Sequence, residues 1–524
     1  MTRRPRAAPS GPSEPSTTAD PGGLRWLLCL VCFLSGAATL VIEIAGNRLL
    51  APLFGNGMHT WTALIGVVLV AISVGDYVGG WLVDRAPRLV CLGYLLLAAA
   101  GWTLLVPLLH DLLQTPASAA GVIGGPLLVS LVLFAVPACL LAAACPFVVR
   151  LLSRSRADLA IGLSAGLVGM LATLGSFVGT ILTGFYLLPA CGVRTIFLVT
   201  GLLVAALGGV VLLACRSRPT AAMPALVVAT LGVAPLFHAA PRPEGVLHEQ
   251  QTFYHDIRVE ETTTPLGERV RLLKLDRTDE GGQYVETGGI CLGYQHAWRL
   301  AEVFCPRLER AAFLGGGGFA MPEQLAKRYP EARVDVVELD PAVIDIGRRF
   351  FRLDEFPTIV PVANDARRFL RAAEGRYDLI VGDVYDGERS IPPHLVTTEF
   401  FTLVKSRLAA DGVYLMNIVS PIHGPHAELF RAVLATLRTQ FAATAVYAVD
   451  PDHTDRPRNV ILLASPRSLS VRPGAPDDDV IRLLLATRVD PASYEPLAAT
   501  ALTDDHNPSE YLVARQRSLS PDGP

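Results

Sequence analysis

Lysine is almost missing from this chain. It occurs at Lys274, Lys327 and Lys405 only, and arginine supplies the rest of the 45 basic side chains. That skew reads as base composition, not function. With 48 acids the net charge is −3, so no basic field exists to drive nucleic-acid binding. Charged residues as a whole make up 18% of the chain and hydrophobic ones 51%, which excludes a disordered chain and an ordinary soluble one. Nine cysteines in 524 residues are too few for a disulfide scaffold, and most lie inside apolar runs. Cys29 and Cys32 have no histidine or cysteine partners in sequence, and His423 and His426 lack acids or thiols at ligand spacing. No metal site is therefore expected.

The scarcity of charge is local. From Leu24 to Ala240 only 15 of 217 residues are charged, against 73 of 284 from Pro241 to the end. Four segments follow. Residues 1–23 are a Pro-, Ser- and Thr-rich tail that cannot bury a core. Residues 24–240 read as a multi-pass α-helical membrane domain. Residues 250–466 read as an α/β domain, and 467–524 as a C-terminal extension.

About 20 apolar residues cross a bilayer. Seven runs qualify, at roughly 24–46, 61–83, 89–109, 121–149, 159–188, 194–215 and 220–240. The first is too long for a secretory signal and lacks a small-residue cleavage site. Glycines such as Gly175 and Gly179 suit close helix packing in lipid. Arg3, Arg4, Arg6, Arg25, Arg85, Arg88, Arg150, Arg154, Arg156, Arg216 and Arg218 fall on one side of the spans, while Arg48 and Arg194 fall on the other. The N-terminus is therefore expected in the cytoplasm. Seven crossings would put the polar half outside. Six would leave it inside, with the last run, broken by Pro224 and Pro235, lying at the interface. The sequence leaves both open. Glu43 and Asp76 lie within spans, where buried charge marks a functional site or a structural pair; the bland reading pairs Glu43 with Arg48.

In the polar half, His255–Thr262 and Val270–Leu275 read as short strands of a small β-element, and Ala297–Cys305 as a short helix. Strands and helices then alternate. Ala311–Leu314 runs into Gly315-Gly-Gly-Gly318, and a helix follows over Pro322–Tyr329. The next strand ends at Glu338. Ile359–Val362 leads to Asn364-Asp365, and Tyr377–Asp383 ends in an acid. This pattern predicts a Rossmann-like, mostly parallel, doubly wound sheet, with ligands at the carboxyl ends of its strands. Gly315, Gly316 and Gly317 permit close backbone approach to a nucleoside. Glu338 is placed to accept bonds from ribose hydroxyls, Asp365 to meet an adenine amino group, and Asp383 to face a reacting centre. The run GGGGFAM does not match the G-x-G-x-x-G of nicotinamide-binding folds. His255 reads as a solvent-facing strand residue, and Asp504 with Asp505 as a solvated or capping pair.

Phe313-Leu-Gly-Gly-Gly-Gly318, Val337-Glu-Leu-Asp-Pro-Ala-Val343, Asn364-Asp-Ala-Arg-Arg-Phe369 and Tyr377-Asp-Leu-Ile-Val-Gly-Asp-Val-Tyr-Asp386 resemble the motifs of spermidine synthases, the polyamine aminopropyltransferases, over residues 250–465. These share the scaffold of class I methyltransferases. The apolar half and the tail Leu502-Thr-Asp-Asp-His-Asn-Pro-Ser-Glu-Tyr511 are similar to bacterial fused membrane spermidine synthase-like proteins. The resemblance implies a multi-pass protein of the bacterial inner or plasma membrane, with the lipid bilayer and a polyamine or other amine as partners and no nucleic acid; it leaves a homodimer open. It implies no prosthetic group. It implies transfer of an aminopropyl group from decarboxylated S-adenosylmethionine to a diamine such as putrescine. By the same resemblance Asp383 anchors the amine and takes a proton, with Asp386 in support. Glu338 holds the ribose, Asp365 the adenine, and Tyr294 with Gln295 lines the amine pocket. One departure concerns the donor. The family's glycine run carries an Asp where this chain has Gly318, which leaves an S-adenosylmethionine-dependent methyltransferase as an alternative. A non-catalytic polyamine-binding or transport protein is a further one.

Overall fold

The computed structural model describes residues 21–55, 57–155, 161–215, 244–385, 390–494, 497 and 499–518. Residues 1–20 of the tail, the seventh apolar run at 220–240 and Asp386 lie outside them, while the tail's last three residues, from Pro21, already belong to the first helix.

Six helices are long and apolar enough to cross a membrane: Gly22–Phe54, Met58–Arg85, Leu89–Leu113, Gly124–Arg154, Ile161–Leu187 and Val193–Ala214. They are called here the first to sixth spans. Small residues let their backbones meet. A Cβ on Gly175 of the fifth span would stand 1.9 Å from the carbonyl oxygen of Phe33 on the first, and one on Gly75 of the second would stand 2.2 Å from that of Cys139 on the fourth. Without a hydrophobic driving force in lipid, such close packing is what holds helices together. Asp76 is exposed on the second span. Glu43 and Arg48 form no ion pair, contrary to the sequence expectation. Five residues apart on one helix, they project from different faces, whereas pairs three or four apart meet. The last turn of the fifth span is a π-helix, Thr183–Leu187.

The polar half holds two sheets. Strands β1 (Val246–Gln251), β2 (Asp256–Thr263), β3 (Arg269–Leu275) and β4 (Thr278–Tyr284) form an antiparallel meander. Seven further strands follow: β5 (Arg310–Leu314), β6 (Arg333–Glu338), β7 (Ile359–Ala363), β8 (Tyr377–Gly382), β9 (Leu408–Ser420), β10 (Ala443–Ala448) and β11 (Arg458–Ser465). Their order is β10-β11-β9-β8-β5-β6-β7. Strands β5 to β9 run parallel, and β11 pairs antiparallel with both β9 and β10. The order reverses between β5 and β8, and that switch point is where open α/β sheets bind ligands. Buried strand residues explain the apolar runs read in sequence. Val334, Val336, Leu379 and Val381 face one side of the sheet, while Ile380, Tyr414 and Met416 face the other.

The last segment packs back onto this domain. Asp478 caps the helix Asp479–Ala486 and takes a bidentate pair from Arg299 at 2.9 and 2.6 Å. Asp504 is exposed, as expected, but it is also paired. It accepts two bonds from Arg367 at 2.7 and 2.6 Å and one from Thr397 at 2.8 Å.

The two halves meet at one end of the spans. Gln251 Oε1 accepts from the Val193 N–H at 2.9 Å, and Glu510 Oε2 from the Met58 N–H at 3.4 Å. Both contacts lie at the turns around 55–57 and 188–192. The arginines Arg85, Arg88, Arg150 and Arg154 lie at the opposite ends of their helices.

If glycine contact holds the first and fifth spans together, Gly175→Leu should destabilise the bundle by about 1–3 kcal/mol, the usual cost of overpacking. Gly169→Leu on the same helix should be nearly neutral, because nothing among the described residues lies within 4 Å of its Cβ position. Thermal unfolding of the two purified variants in detergent checks this.

Candidate active site

The carboxyl ends of β5, β6, β7 and β8 open onto a cavity of about 510 Å³. Gly315, Gly316, Gly317, Glu338, Asp365, Asp383 and Gln295 all line it. Asp386 lies outside the described residues.

The glycine run follows β5 directly. Gly315 has φ +97° and Gly317 φ +48°, the left-handed region where a side chain is strained. A Cβ on Gly315 would also stand 2.1 Å from the carbonyl oxygen of Asp383. The run ends at Phe319, which caps the helix Ala320–Arg328.

Glu338 is buried at the end of β6. Its Oε2 accepts the Gly316 N–H and its Oε1 the Asp340 N–H, both at 3.0 Å. Burial raises its pKa, and the two N–H groups oppose that rise. The carboxylate thus braces the glycine run and keeps lone pairs for a ligand.

Asp365 caps the helix Ala366–Ala372. Its Oδ1 accepts the Arg368 N–H at 2.8 Å, and its Oδ2 lies 2.9 Å from His394 Nε2. Against the upward push of burial, these partners hold its carboxyl below the ordinary value.

Asp383 follows β8. Asn417 Nδ2 donates to its Oδ1 at 2.8 Å, and the Tyr294 hydroxyl to its Oδ2 at 3.3 Å. Asn417 is itself held by Asn459 at 3.1 Å. Burial pushes the Asp383 carboxyl up to about 6, against the pull of Asn417 and Tyr294. Burial also lifts the Tyr294 phenol well above its ordinary value, so it stays a proton donor to Asp383. Gln295 is buried beside it, and its Oε1 has no hydrogen-bond partner among the described residues.

Several lining residues escaped the sequence reading. Glu280 comes from β4, and Thr278 Oγ1 donates to its Oε1 at 2.6 Å. Two adjacent strand glycines, Gly281 and Gly282, were the available signal for close backbone approach there. Asn417, which donates to Asp383 but is not itself a lining residue, could have been found as a lone polar residue in an apolar strand. The membrane half contributes Ile44, Asn47, Arg48, Trp61, Gly184 and Leu188, a contact no local pattern announces. His255 does not face solvent. It is buried, with Nδ1 3.3 Å from Asp276 Oδ2. Burial lowers its pKa, but Asp276 outweighs that and raises it. Among the described residues no cluster of three or more metal-ligating side chains occurs.

Residues 298–451 match the spermine/spermidine synthase domain. The chain is 32% identical to a polyamine aminopropyltransferase of Vibrio vulnificus over 37% of its own length and 65% of that protein's. It is 28% identical to polyamine aminopropyltransferase 1 of Streptomyces coelicolor over 84% of this chain and 85% of that one, a stretch that takes in the apolar helices as well. Among solved structures, a probable spermidine synthase from Corynebacterium glutamicum aligns with a TM-score of 0.40 and 20% identity, over 50% of this chain and 97% of that one. The chain thus carries a spermine/spermidine synthase domain behind six membrane-length helices, and along most of its length it is similar to a polyamine aminopropyltransferase.

Proposed function

We propose that this chain is a membrane-bound aminopropyltransferase that moves the aminopropyl group of decarboxylated S-adenosylmethionine to a diamine such as putrescine. One observation carries the reading. Asp383 sits at the switch point of the sheet, held by Asn417 and Tyr294 and raised to about 6, so it is ionised at pH 7 yet basic enough to take a proton.

The adenosine lies over the glycine run in this reading, with its ribose hydroxyls on Glu338 and its amino group on Asp365. The sulfonium withdraws electrons from the adjoining carbon of the propyl chain. The neutral amine of the acceptor attacks that carbon in line. The new C–N bond forms as the C–S bond breaks, and the bonding pair returns to sulfur, leaving neutral methylthioadenosine. The proton that made this amine an ammonium passes to Asp383 as the attack begins, and the new secondary ammonium carries the positive charge that the sulfonium loses. Alignment supplies much of the rate, and the placed base supplies about 10²–10⁴-fold. Asp386 supports Asp383 and Gln295 lines the acceptor site by resemblance.

The reaction takes place on the arginine-poor face of the membrane. What supports this is the docking of the polar half on the turns around 55–57 and 188–192, away from the arginines that mark the cytoplasmic side. The sixth span ends on the arginine-rich side, so the seventh apolar run lies in sequence where a return crossing is needed. Reporter fusions at residues 218 and 245 test this. The first should report cytoplasm and the second the outside; the same side for both would overturn it.

Asp383→Asn should lower kcat by about 10²–10⁴-fold while leaving methylthioadenosine affinity within a few-fold. Its measure is release of methylthioadenosine from decarboxylated S-adenosylmethionine across a panel of amines. A wild-type protein that releases none would refute the proposed activity.

The same carboxyl sets a pH limb. A base raised to about 6 is lost below that pH, so kcat/KM, which reports the free enzyme, should rise tenfold per unit below about 6 and flatten above it. A limb centred near 4, the ordinary carboxylate range, would argue against Asp383 as the base.

A further inference from the structure

The mechanism above uses one of two cavity carboxylates that act on each other and on the Tyr294 phenol. The other, Glu280, reaches the cavity from a different sheet, with Thr278 donating to Oε1 at 2.6 Å. Burial, with Asp383 nearby, pushes its carboxyl up to about 7. Among the described residues it pairs with no arginine or lysine. Two acids close together in a buried cavity disfavour each other's ionised form, and burying them unpaired is costly. A cavity built this way has room for cations.

The backbone explains why this acid stands on β4. A Cβ on Gly281 would lie 2.1 Å from the Gly318 nitrogen, and one on Gly318 would lie 3.1 Å from both the Gly281 carbonyl carbon and the Gly282 nitrogen. A Cβ on Gly317 would lie 2.6 Å from the Glu280 carbonyl oxygen. Strand β4 therefore lies against the glycine run, and an aspartate at position 318 would have to displace it. The same contact brings Glu280 to the side of the cavity where the run and Glu338 enclose the nucleoside.

We propose that Glu280 is the anchor for the terminal ammonium of the sulfonium donor's propyl chain, so that the strand facing the glycine run supplies the anion which the run itself does not carry. This rests on the aminopropyl-transfer reading. The donor brings a primary ammonium three carbons from sulfur. With Asp383 engaged by the acceptor nitrogen, Glu280 is the remaining carboxylate positioned for that ammonium beside the glycine run. S-adenosylmethionine carries a carboxylate on the same chain, which two acids in one cavity would repel, so the cavity selects the decarboxylated nucleoside.

The experiment is titration calorimetry on the full chain in detergent, wild type against Glu280→Gln, with decarboxylated S-adenosylmethionine and methylthioadenosine. The second ligand has the same adenosine and thioether but no ammonium, and its binding also reports that the site is folded. Glu280→Gln should weaken the cationic donor by about 10- to 100-fold, as expected for a charge-assisted bond, and change methylthioadenosine by less than about threefold. Glu280→Asp keeps the charge and should recover part of the loss. Equal donor affinity in wild type and Glu280→Gln, with methylthioadenosine bound by both, overturns the assignment and leaves the proposed activity standing. A rise in the diamine KM with unchanged donor affinity overturns it too, moving Glu280 to the acceptor. Wild type that binds neither nucleoside overturns the activity and the assignment together.

Discussion

Three stretches of backbone approach one another beneath the cavity, and everything else in the polar half depends on how closely they do so. The turn after β5 passes within Cβ distance of the Asp383 carbonyl on one side and of β4 on the other. Only glycine fits at such separations. The approach has an electrostatic consequence. It leaves no side chain in the run to bear charge, so the anionic groups come from the elements around it: Glu338 from β6, Asp365 after β7, Asp383 after β8 and Glu280 from β4. Glu338 then ties the arrangement together, because its two oxygens bond the run at Gly316 and the next turn at Asp340.

Burial sets the chemistry of these acids, and their partners set the differences among them. Asp365 meets a backbone N–H and His394 and ends below its ordinary value. Asp383 meets only neutral donors, Asn417 and Tyr294, and ends near 6. Glu280 has one hydroxyl donor and an acid for a neighbour, and ends near 7. The same functional group is thus held in three different states according to the donors each position supplies, and the proposed roles of base and cation anchor draw on that difference.

How far the sequence reveals this follows from where each residue sits in the chain. Glu338, Asp365 and Asp383 were legible because each follows an apolar strand run, and a parallel sheet brings such ends to one edge whatever its detailed packing. Asn417 sits inside an apolar run and could have been found as its one polar break. Glu280 could be seen only as a residue of a short strand. Which face of a meander lies against which turn is fixed by contacts between two sheets, and no period records them. His255 was misread for the same reason, since its burial and its partner Asp276 both arise from the pairing of β2 with β3. The spans were plain from length and hydropathy. The placing of their ends against the cavity was not, because the contacts that set it join residues far apart in the chain, as Val193 with Gln251 and Met58 with Glu510.

That contact changes what the helices are for. Ile44, Trp61 and Leu188 give the cavity an apolar wall, and Arg48 adds a cation to it. Arg48 is only 9% exposed, and among the described residues its Nη1 has no hydrogen-bond partner. It is held by the charges around it, since it acts on the His255–Asp276 pair and on Asp256. A bundle that served only to tether the polar half would have no reason to carry a buried arginine at the cavity. An apolar wall leaves less water against the acids it faces, and less water strengthens the charges there. The fifth span closes with a π-turn where it meets the cavity, the kind of local break that helices keep where a site needs it.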